Sequence, residues 1–246
     1  MKIVGMILSG GSGKRFGSET PKQYLDINGR PVISYAIEAF QKSNADEIII
    51  AAGAGFTDRC RQIAVQGGFS KVTDIIEGGS ERYYSVMNGL EHLVQRYDED
   101  CIVLIHDGAR PFVSANTINS IADAVLECGA AIAAMPCTDT IKIADEEGNI
   151  ISTTKRSRTF AAQTPQGFWL KDIYRAYSGI IGDEASPAER SSHLADITDD
   201  AMVYQMAFPD RKVKIVQSDT SNMKITRMQD LEIAQLTAGK GSDRSI

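Results

Sequence analysis

Lys14, Arg15, Lys22 and Gln23 crowd into one stretch, LSGGSGKRFGSETPKQY at residues 8–24, behind the apolar run KIVGMIL. The run has the character of a strand. The glycines after it let backbone N–H groups approach a polyphosphate closely and adopt positive φ. Further on, CIVLI runs into HDGARPF (106–112) and carries Asp107 to the end of a second apolar run. Cations on a glycine-rich loop can offset charge developing on phosphorus, and a carboxylate on the same sheet edge can hold Mg²⁺ bridging phosphates. Each group also has a plainer reading, a solvated basic loop in one case and a turn aspartate before Gly108 in the other.

Two common phosphate sites do not fit. In a P-loop, Gly13-Lys14 would need Ser or Thr at position 15 and glycine at position 8, which are Arg15 and Leu8. A dinucleotide fold wants G-x-G-x-x-G and an acid at the tip of the second strand. Here the glycines are Gly11, Gly13 and Gly17, and the second strand runs into AAGAG. A third chemistry competes for the loop, nucleotidyl transfer, in which a phosphate oxygen attacks the α-phosphorus of a nucleoside triphosphate and pyrophosphate leaves. His106 reads as a packed or hydrogen-bonded side chain, because His92 and His193 offer no metal spacing with it.

The elements that would position these residues follow from periodicity. Near-continuous apolar runs at 2–8, 46–52, 71–76, 101–105 and 130–135 suit strands buried on both faces. Helical spacing fills the intervals. Pro31 suits a first helical turn, with Ile33, Ala36, Ile37 and Phe40 on one face. Val86, Leu90 and Leu93 share another, and a third helix opens at Ser114 and closes at Gly129. Strand alternating with helix implies an open parallel sheet with right-handed crossovers. After residue 137 the pattern changes. TIKIADEEGNIISTT reads as a hairpin arm around DEEGN, residues 182–198 as a polar mobile loop, and the rest as a short helix, a strand at 213–216 and a last helix with a Thr226/Gln229 capping box.

The chain has 246 residues, 43% of them hydrophobic, enough for a sizeable core. A formal charge of -6 argues against nucleic acid and anionic membranes as partners, so an anion site must be local. Cys60, Cys101, Cys128 and Cys137 lie far apart without a CxxC pair, which suits free thiols in a reducing compartment. No apolar stretch reaches membrane-spanning length and no leader pattern opens the chain, so a cytoplasmic location is expected.

Seven motifs in order carry a resemblance. They are G-x-G-x-R with PKQY, EGGSERYYSV (77–86), HDGARPF, DT (139–140), QTPQGF (163–168), TDDA (198–201) and NMKIT (222–226). Together, over roughly 2–236, the chain resembles the cytidylyltransferases that join CTP to 2-C-methylerythritol 4-phosphate in non-mevalonate isoprenoid synthesis. The resemblance implies an α/β Rossmann-like nucleotidyltransferase domain, with a mainly parallel twisted sheet and a β-hairpin dimerisation arm at about 137–160 in one domain spanning 1–246. It implies Arg15 and Lys22 as transition-state stabilisers, with Arg156 and Lys224 positioning the sugar phosphate. Leu8, Ser9, Gly10, Gly11, Ser12 and Gly13, with Gly79, Ser80, Glu81, Arg82 and Ser85, would form the nucleotide loops. Asp107, Arg110, Thr140 and Thr164 would complete the substrate pocket, Asp107 holding Mg²⁺. The family is homodimeric with interlocking arms, so Thr140 and Arg156 would reach the neighbouring subunit's site. Leu8-Ser9 departs from the two small residues usual in the family, and in KRSR (155–158) Arg158 competes with Arg156. A sister enzyme acting on ribitol 5-phosphate shares nearly all of these motifs. A non-catalytic nucleotide binder is the alternative from another class, although Arg15, Lys22 and Asp107 are all retained.

Overall fold

The β-branched runs assemble as the pattern requires. In the computed structural model, which describes residues 1–11, 20–97, 100–181 and 197–242, the chain opens with β1 (Lys2–Ser9) and a 3₁₀ turn at Lys22–Tyr24. A short ribbon of β2 (Asp26–Ile27) and β3 (Arg30–Pro31) leads into α1 (Val32–Lys42). Then come β4 (Glu47–Ala52), α2 (Thr57–Gln66), β5 (Val72–Glu77), α3 (Arg82–Val94) and β6 (Cys101–Asp107). The chain continues through α4 (Ala115–Cys128), β7 (Ala130–Pro136), the arm strands β8 (Lys142–Ala144) and β9 (Ile150–Thr153), a 3₁₀ turn at Arg156–Arg158, and β10 (Phe160–Trp169). It ends with α5 (Leu170–Ile181), α6 (Asp200–Ala207), β11 (Lys214–Gln217) and α7 (Met228–Ser242).

One seven-stranded sheet, ordered β11-β7-β10-β6-β1-β4-β5, organises these elements. Its strands are parallel except β10, which runs antiparallel to both β6 and β7. Helices cover both faces. Val86, Leu90 and Leu93 of α3 pack with Ile173 and Tyr177 of α5 on one side, while Ile33, Ile37 and Phe40 of α1 and Ile118, Ile121 and Val125 of α4 pack on the other. That double burial is why the strands read as continuous apolar runs rather than alternating ones.

Several local signals behave as expected. The Ser114 side chain accepts the Thr117 N–H at the start of α4, and Gly129 closes that helix at φ 86°, where a side chain would be strained. Other expectations need correction. β6 does not stop at residue 105: Asp107 is its last residue, hydrogen-bonded into the ladder opposite Leu8. Pro31 stands one position before α1, as its N-cap. At α7 the box partner is Asp230, not Gln229. Its Oδ2 accepts from the Thr226 amide and hydroxyl, both at 2.7 Å, and from the Arg227 amide at 2.8 Å. The carboxylate outbids the amide because it takes three donors at a helix N-terminus. Cys60 and Cys101 are buried, whereas Cys128 is exposed and Cys137 partly so; all four thiols are free. No helix among the described residues is long and apolar enough to cross a membrane. Most of the polar loop at 182–198 lies outside the described residues, as do Ser12, Gly13 and Arg15 of the glycine loop.

Candidate active site

Strand register brings both candidate loops to one edge. Leu8 of β1 pairs with Asp107 of β6, Ser9 with Ala52 of β4, and Ala52 with Glu77 of β5. The loops after β1, β5 and β6 therefore leave the sheet side by side at its carboxyl edge, where open α/β sheets bind ligands. Backbone bonds stitch the exits together: Gly108 N–H to Leu8 O at 2.8 Å, Gly53 N–H to Ser9 O at 3.2 Å and Gly78 N–H to Ala52 O at 2.6 Å. The fit is close. A Cβ added at Gly10 would lie 3.1 Å from Ser85 Oγ, and one at Gly53 would lie 3.4 Å from the Gly10 Cα. These glycines are there because backbone meets backbone.

The side chains in this corner divide into those that face the cleft and those that brace it. Leu8 and Ser9 are buried, Leu8 in the core, so in this stretch Gly10 and Gly11 are the described positions that present backbone outward. Ser85 is buried and fully engaged: its hydroxyl accepts from Gly79 N–H at 3.0 Å and lies 3.1 Å from Glu81 O. It braces the 79–81 turn from beneath, while Ser80 and Glu81 are exposed. Thr164 is also an internal brace. Its hydroxyl accepts from the Asp107 amide at 3.0 Å and pairs with His106 Nδ1 at 3.0 Å.

His106 fixes its own proton. Its Nε2 lies 3.1 Å from the carbonyl of Arg110, which can only accept, so Nε2 carries the hydrogen and Nδ1 accepts from Thr164. Complete burial pushes its pKa down to about 4, so the ring is neutral at pH 7.

Asp107 gathers the charge. Lys224 donates to Oδ2 at 2.7 Å, Arg82 Nε donates to Oδ1 at 3.2 Å, and Arg110 Nε stands 3.8 Å from Oδ2. Burial by itself would raise this carboxyl, but the charges of Arg82 and Lys224, the Lys224 hydrogen bond and the charge of Arg110 hold it far below the usual range. Lys22 adds a further charge to the cluster. Burial, and next the charge of Lys224, lower its ammonium from the ordinary lysine value against the pull of Asp107 and Asp230. The segment that bears Lys224 is anchored by Arg110 to the Asn222 carbonyl at 2.9 Å and by the Ile225 amide to Ala109 O at 2.9 Å.

Asp200, Tyr177, Asp199 and Gln166 had no role assigned from sequence, whereas Arg82 was expected in a nucleotide loop. Arg82 makes a two-pronged pair with Asp200, both bonds at 2.7 Å, and Asp200 also accepts from the Tyr177 hydroxyl at 2.5 Å. Asp200 is wholly buried, so α6 is tied through Arg82 to Asp107. Gln166 extends the tie, donating to Asp199 and accepting from the Ala201 amide, each at 2.9 Å. TDDA and QTPQGF were legible as motifs, and this is what they do. Gln23, which donates to the carbonyls of Ser9 and Gly11, was noticed in the sequence but left without a part.

Thr140 and Arg156 stand apart. They bond each other on the arm at 2.9 Å and make no hydrogen bond or ion pair with Lys22, Asp107, Arg110 or Lys224. Arg15 lies outside the described residues, and no cluster of three or more His, Cys, Asp or Glu that could hold a metal occurs among those described.

A mainly parallel α/β sheet with a glycine-loop edge, a cluster of cations and a single central carboxylate suits a nucleotidyltransferase. The comparisons narrow it. Residues 3–239 match the family model described as IspD: 2-C-methyl-D-erythritol 4-phosphate cytidylyltransferase, and the chain belongs to that family. Among its relatives, the protein of that name from Lachnospira eligens is 41% identical over 93% of this chain and 96% of its own length. The one from Lachnoclostridium phytofermentans is 37% identical over 95% of each. The crystal structure of the 4-diphosphocytidyl-2C-methyl-D-erythritol synthase of Anaerococcus prevotii is similar at TM-score 0.79 and 28% identity, covering 97% of this chain and 96% of that one.

Proposed function

We propose that the chain is a cytidylyltransferase that transfers CMP from CTP to 2-C-methyl-D-erythritol 4-phosphate and releases pyrophosphate. The observation that carries the reading is the cluster of Lys22, Lys224, Arg110 and Arg82 around Asp107, beside the backbone edge at Gly10 and Gly11. In the reaction an oxygen of the acceptor phosphate bonds to the α-phosphorus of CTP while the bond to the β-phosphate bridging oxygen breaks. The phosphate is already anionic at neutral pH, so no general base is needed. What the protein supplies is alignment and positive charge.

Lys22, with Arg15, takes the charge that grows on the triphosphate, and Lys224 with Arg110 takes the acceptor phosphate. Asp107 keeps Lys224 and Arg82 extended until substrate arrives. Gly10, Gly11 and Gly79 present backbone to the nucleotide, with Ser80, Glu81 and Arg82 around them. Leu8, Ser9 and Ser85 form the wall behind, and Thr164 sets the Asp107 backbone. Asp107, ionised and at the strand end, would supply the protein oxygen for a Mg²⁺ ion that arrives with the triphosphate. When bound it would neutralise phosphate charge. Arg156 and Thr140, paired on a projecting arm, belong in this reading to the neighbouring subunit's site in a cytoplasmic homodimer of one-domain chains.

Pyrophosphate release with CTP and Mg²⁺ tests the reading, with methylerythritol 4-phosphate and ribitol 5-phosphate offered in parallel. Release with the first acceptor alone is expected. Release with ribitol phosphate instead would move the acceptor to the alditol phosphates, and silence with both would sink the catalytic reading.

A further inference from the structure

The 3₁₀ turn that carries Lys22 is bolted to the end of β1 by the next two side chains. Gln23 is buried, and its amide donates both hydrogens to main-chain carbonyls, to Ser9 O at 2.7 Å and Gly11 O at 3.1 Å. Tyr24 is buried next to it. Its hydroxyl accepts from Ser9 Oγ at 2.8 Å and lies 3.3 Å from both Ser9 O and Cys60 Sγ, while its ring stacks on Phe56 at 4.8 Å and 7°. The Lys22 side chain is half-buried, and its ammonium makes no hydrogen bond or ion pair among the described residues, yet it feels the charges of Lys224, Asp107, Asp230 and Arg110. Nothing on its own side chain holds it there. The two residues that follow it do.

We propose that Gln23 is a positioning residue, which fixes the Lys22 ammonium relative to the backbone that receives the triphosphate, with Tyr24 as its support. The chemistry requires such a device. Four positive groups gather about Asp107, so the Lys22 ammonium is repelled by Lys224 and Arg110 while Asp107 and Asp230 attract it. A lysine side chain also has four rotatable bonds with which to leave. Both donors of the Gln23 amide are spent on carbonyls at either side of Gly10, which sets the spacing between loop and cation from one rigid group. A glutamine suits the task because it offers two donors without adding charge to a crowded cationic corner.

The inference rests on the reading of Lys22 as the cation that offsets charge in transfer, and the test separates the two. kcat is measured in single turnover for the wild type, Gln23→Met, Lys22→Ala and the double variant, with CTP and the acceptor saturating. Gln23→Met keeps the length and removes both donors. It is expected to lower kcat by about 10²-fold in the wild type, the scale of an ångström-sized misplacement. In the Lys22→Ala background it should cost no more than about threefold, because there is no ammonium left to misplace. Equal losses in both backgrounds, or none in either, overturn the proposal, since a residue that only supports the fold acts the same with or without Lys22. If Lys22→Ala alone leaves kcat unchanged, it is the Lys22 reading that fails. Should Gln23→Met not fold, as judged by its unfolding midpoint, Tyr24→Phe takes its place in the same cycle. It keeps the ring stack and removes the hydroxyl, and a smaller loss confined to the Lys22 background is expected.

Discussion

At Asp107 a single carboxylate faces four cations, Lys22, Lys224, Arg110 and Arg82, and the balance there decides what each substitution does. Lys224 is paired with Asp107, and in the proposed reaction its ammonium leaves that carboxylate for the incoming acceptor phosphate. Lys224→Ala should therefore lower kcat/KM for the acceptor by about 10²-fold or more, in the range of lost charge stabilisation, while KM for CTP changes little. Steady-state kinetics with each substrate varied in turn checks this, and a loss confined to CTP would place Lys224 on the wrong substrate. His106 carries a pH prediction. Its folded pKa of about 4 lies below the ordinary 6.5, so between those values the unfolded chain binds a proton that the folded chain refuses. Stability from this residue is complete above pH 6.5 and falls as pH drops, by about 2 kcal/mol at pH 5. Urea midpoints at pH 7 and 5 should fall less for His106→Asn than for wild type; parallel slopes would mean the ring is not held neutral. The resemblance put Asp107, Lys224 and Lys22 in the expected site because each stands in a short recognisable run, and the structure brings their charges within reach of one another. It could not assign Arg82 its pairing with Asp200, since the two are 118 positions apart and only folding brings a buried carboxylate to that guanidinium.

Elements that repeat one period were legible, and those that mix signals were not. The parallel strands announced themselves because burial on both faces demands unbroken apolar runs. β10 did not. FAAQTPQGFW has a proline in its middle, two glutamines whose amides serve internal hydrogen bonds, and a register shift between Ala162 and Gln166 where the ladder with β7 breaks. Proline argues against a central strand, and here the irregularity is what turns Thr164 toward His106 and Gln163 toward Ser218 and Asn222. The strand's second half is packed tightly: a Cβ at Gly167 would lie 2.7 Å from Ile121 Cγ2, 2.8 Å from Leu104 Cδ2 and 2.9 Å from Val125 Cγ2. Gly167→Ala should thus cost about 1–3 kcal/mol through overpacking between β10 and α4. Ser114→Ala, which removes the cap of that same helix, should cost about 1 kcal/mol. Denaturant unfolding measures both, and the two losses should fall short of strict additivity only if the α4 start and the β10 contact share a relaxation. A neutral Gly167→Ala would mean that α4 can move away from the sheet freely.

At the scale of the molecule, the arm is the part that the chain does not explain by itself. Among the described residues β8 and β9 pair only with each other, and every residue of both strands is exposed. Ile150 and Ile151 are each 65% exposed and Ile143 is 49% exposed, an apolar surface that a projecting two-stranded ribbon gains nothing by leaving in water. The same arm holds Arg156 against Thr140, apart from the charges around Asp107. Both facts are accounted for if the arm lies across a second copy and delivers Arg156 to that copy's site. The hairpin was visible in sequence as two β-branched runs about a polar turn, but only the family resemblance offered it a purpose, because contact with another copy would leave no periodicity in a single chain. Mixing Lys22→Ala chains with Arg156→Ala chains tests the arrangement. In a mixed dimer the Arg156→Ala chain supplies an intact sheet edge and the Lys22→Ala chain supplies an intact arm, so one of the two sites is complete. The other site carries both defects. Random exchange at equal amounts makes half of the dimers mixed, so about a quarter of wild-type activity should return from two nearly inactive proteins. Sites built within one chain would return nothing, because each chain then carries its own defect into its own site. Co-expression with two different tags, followed by activity of the doubly captured dimer, reads the complementation directly.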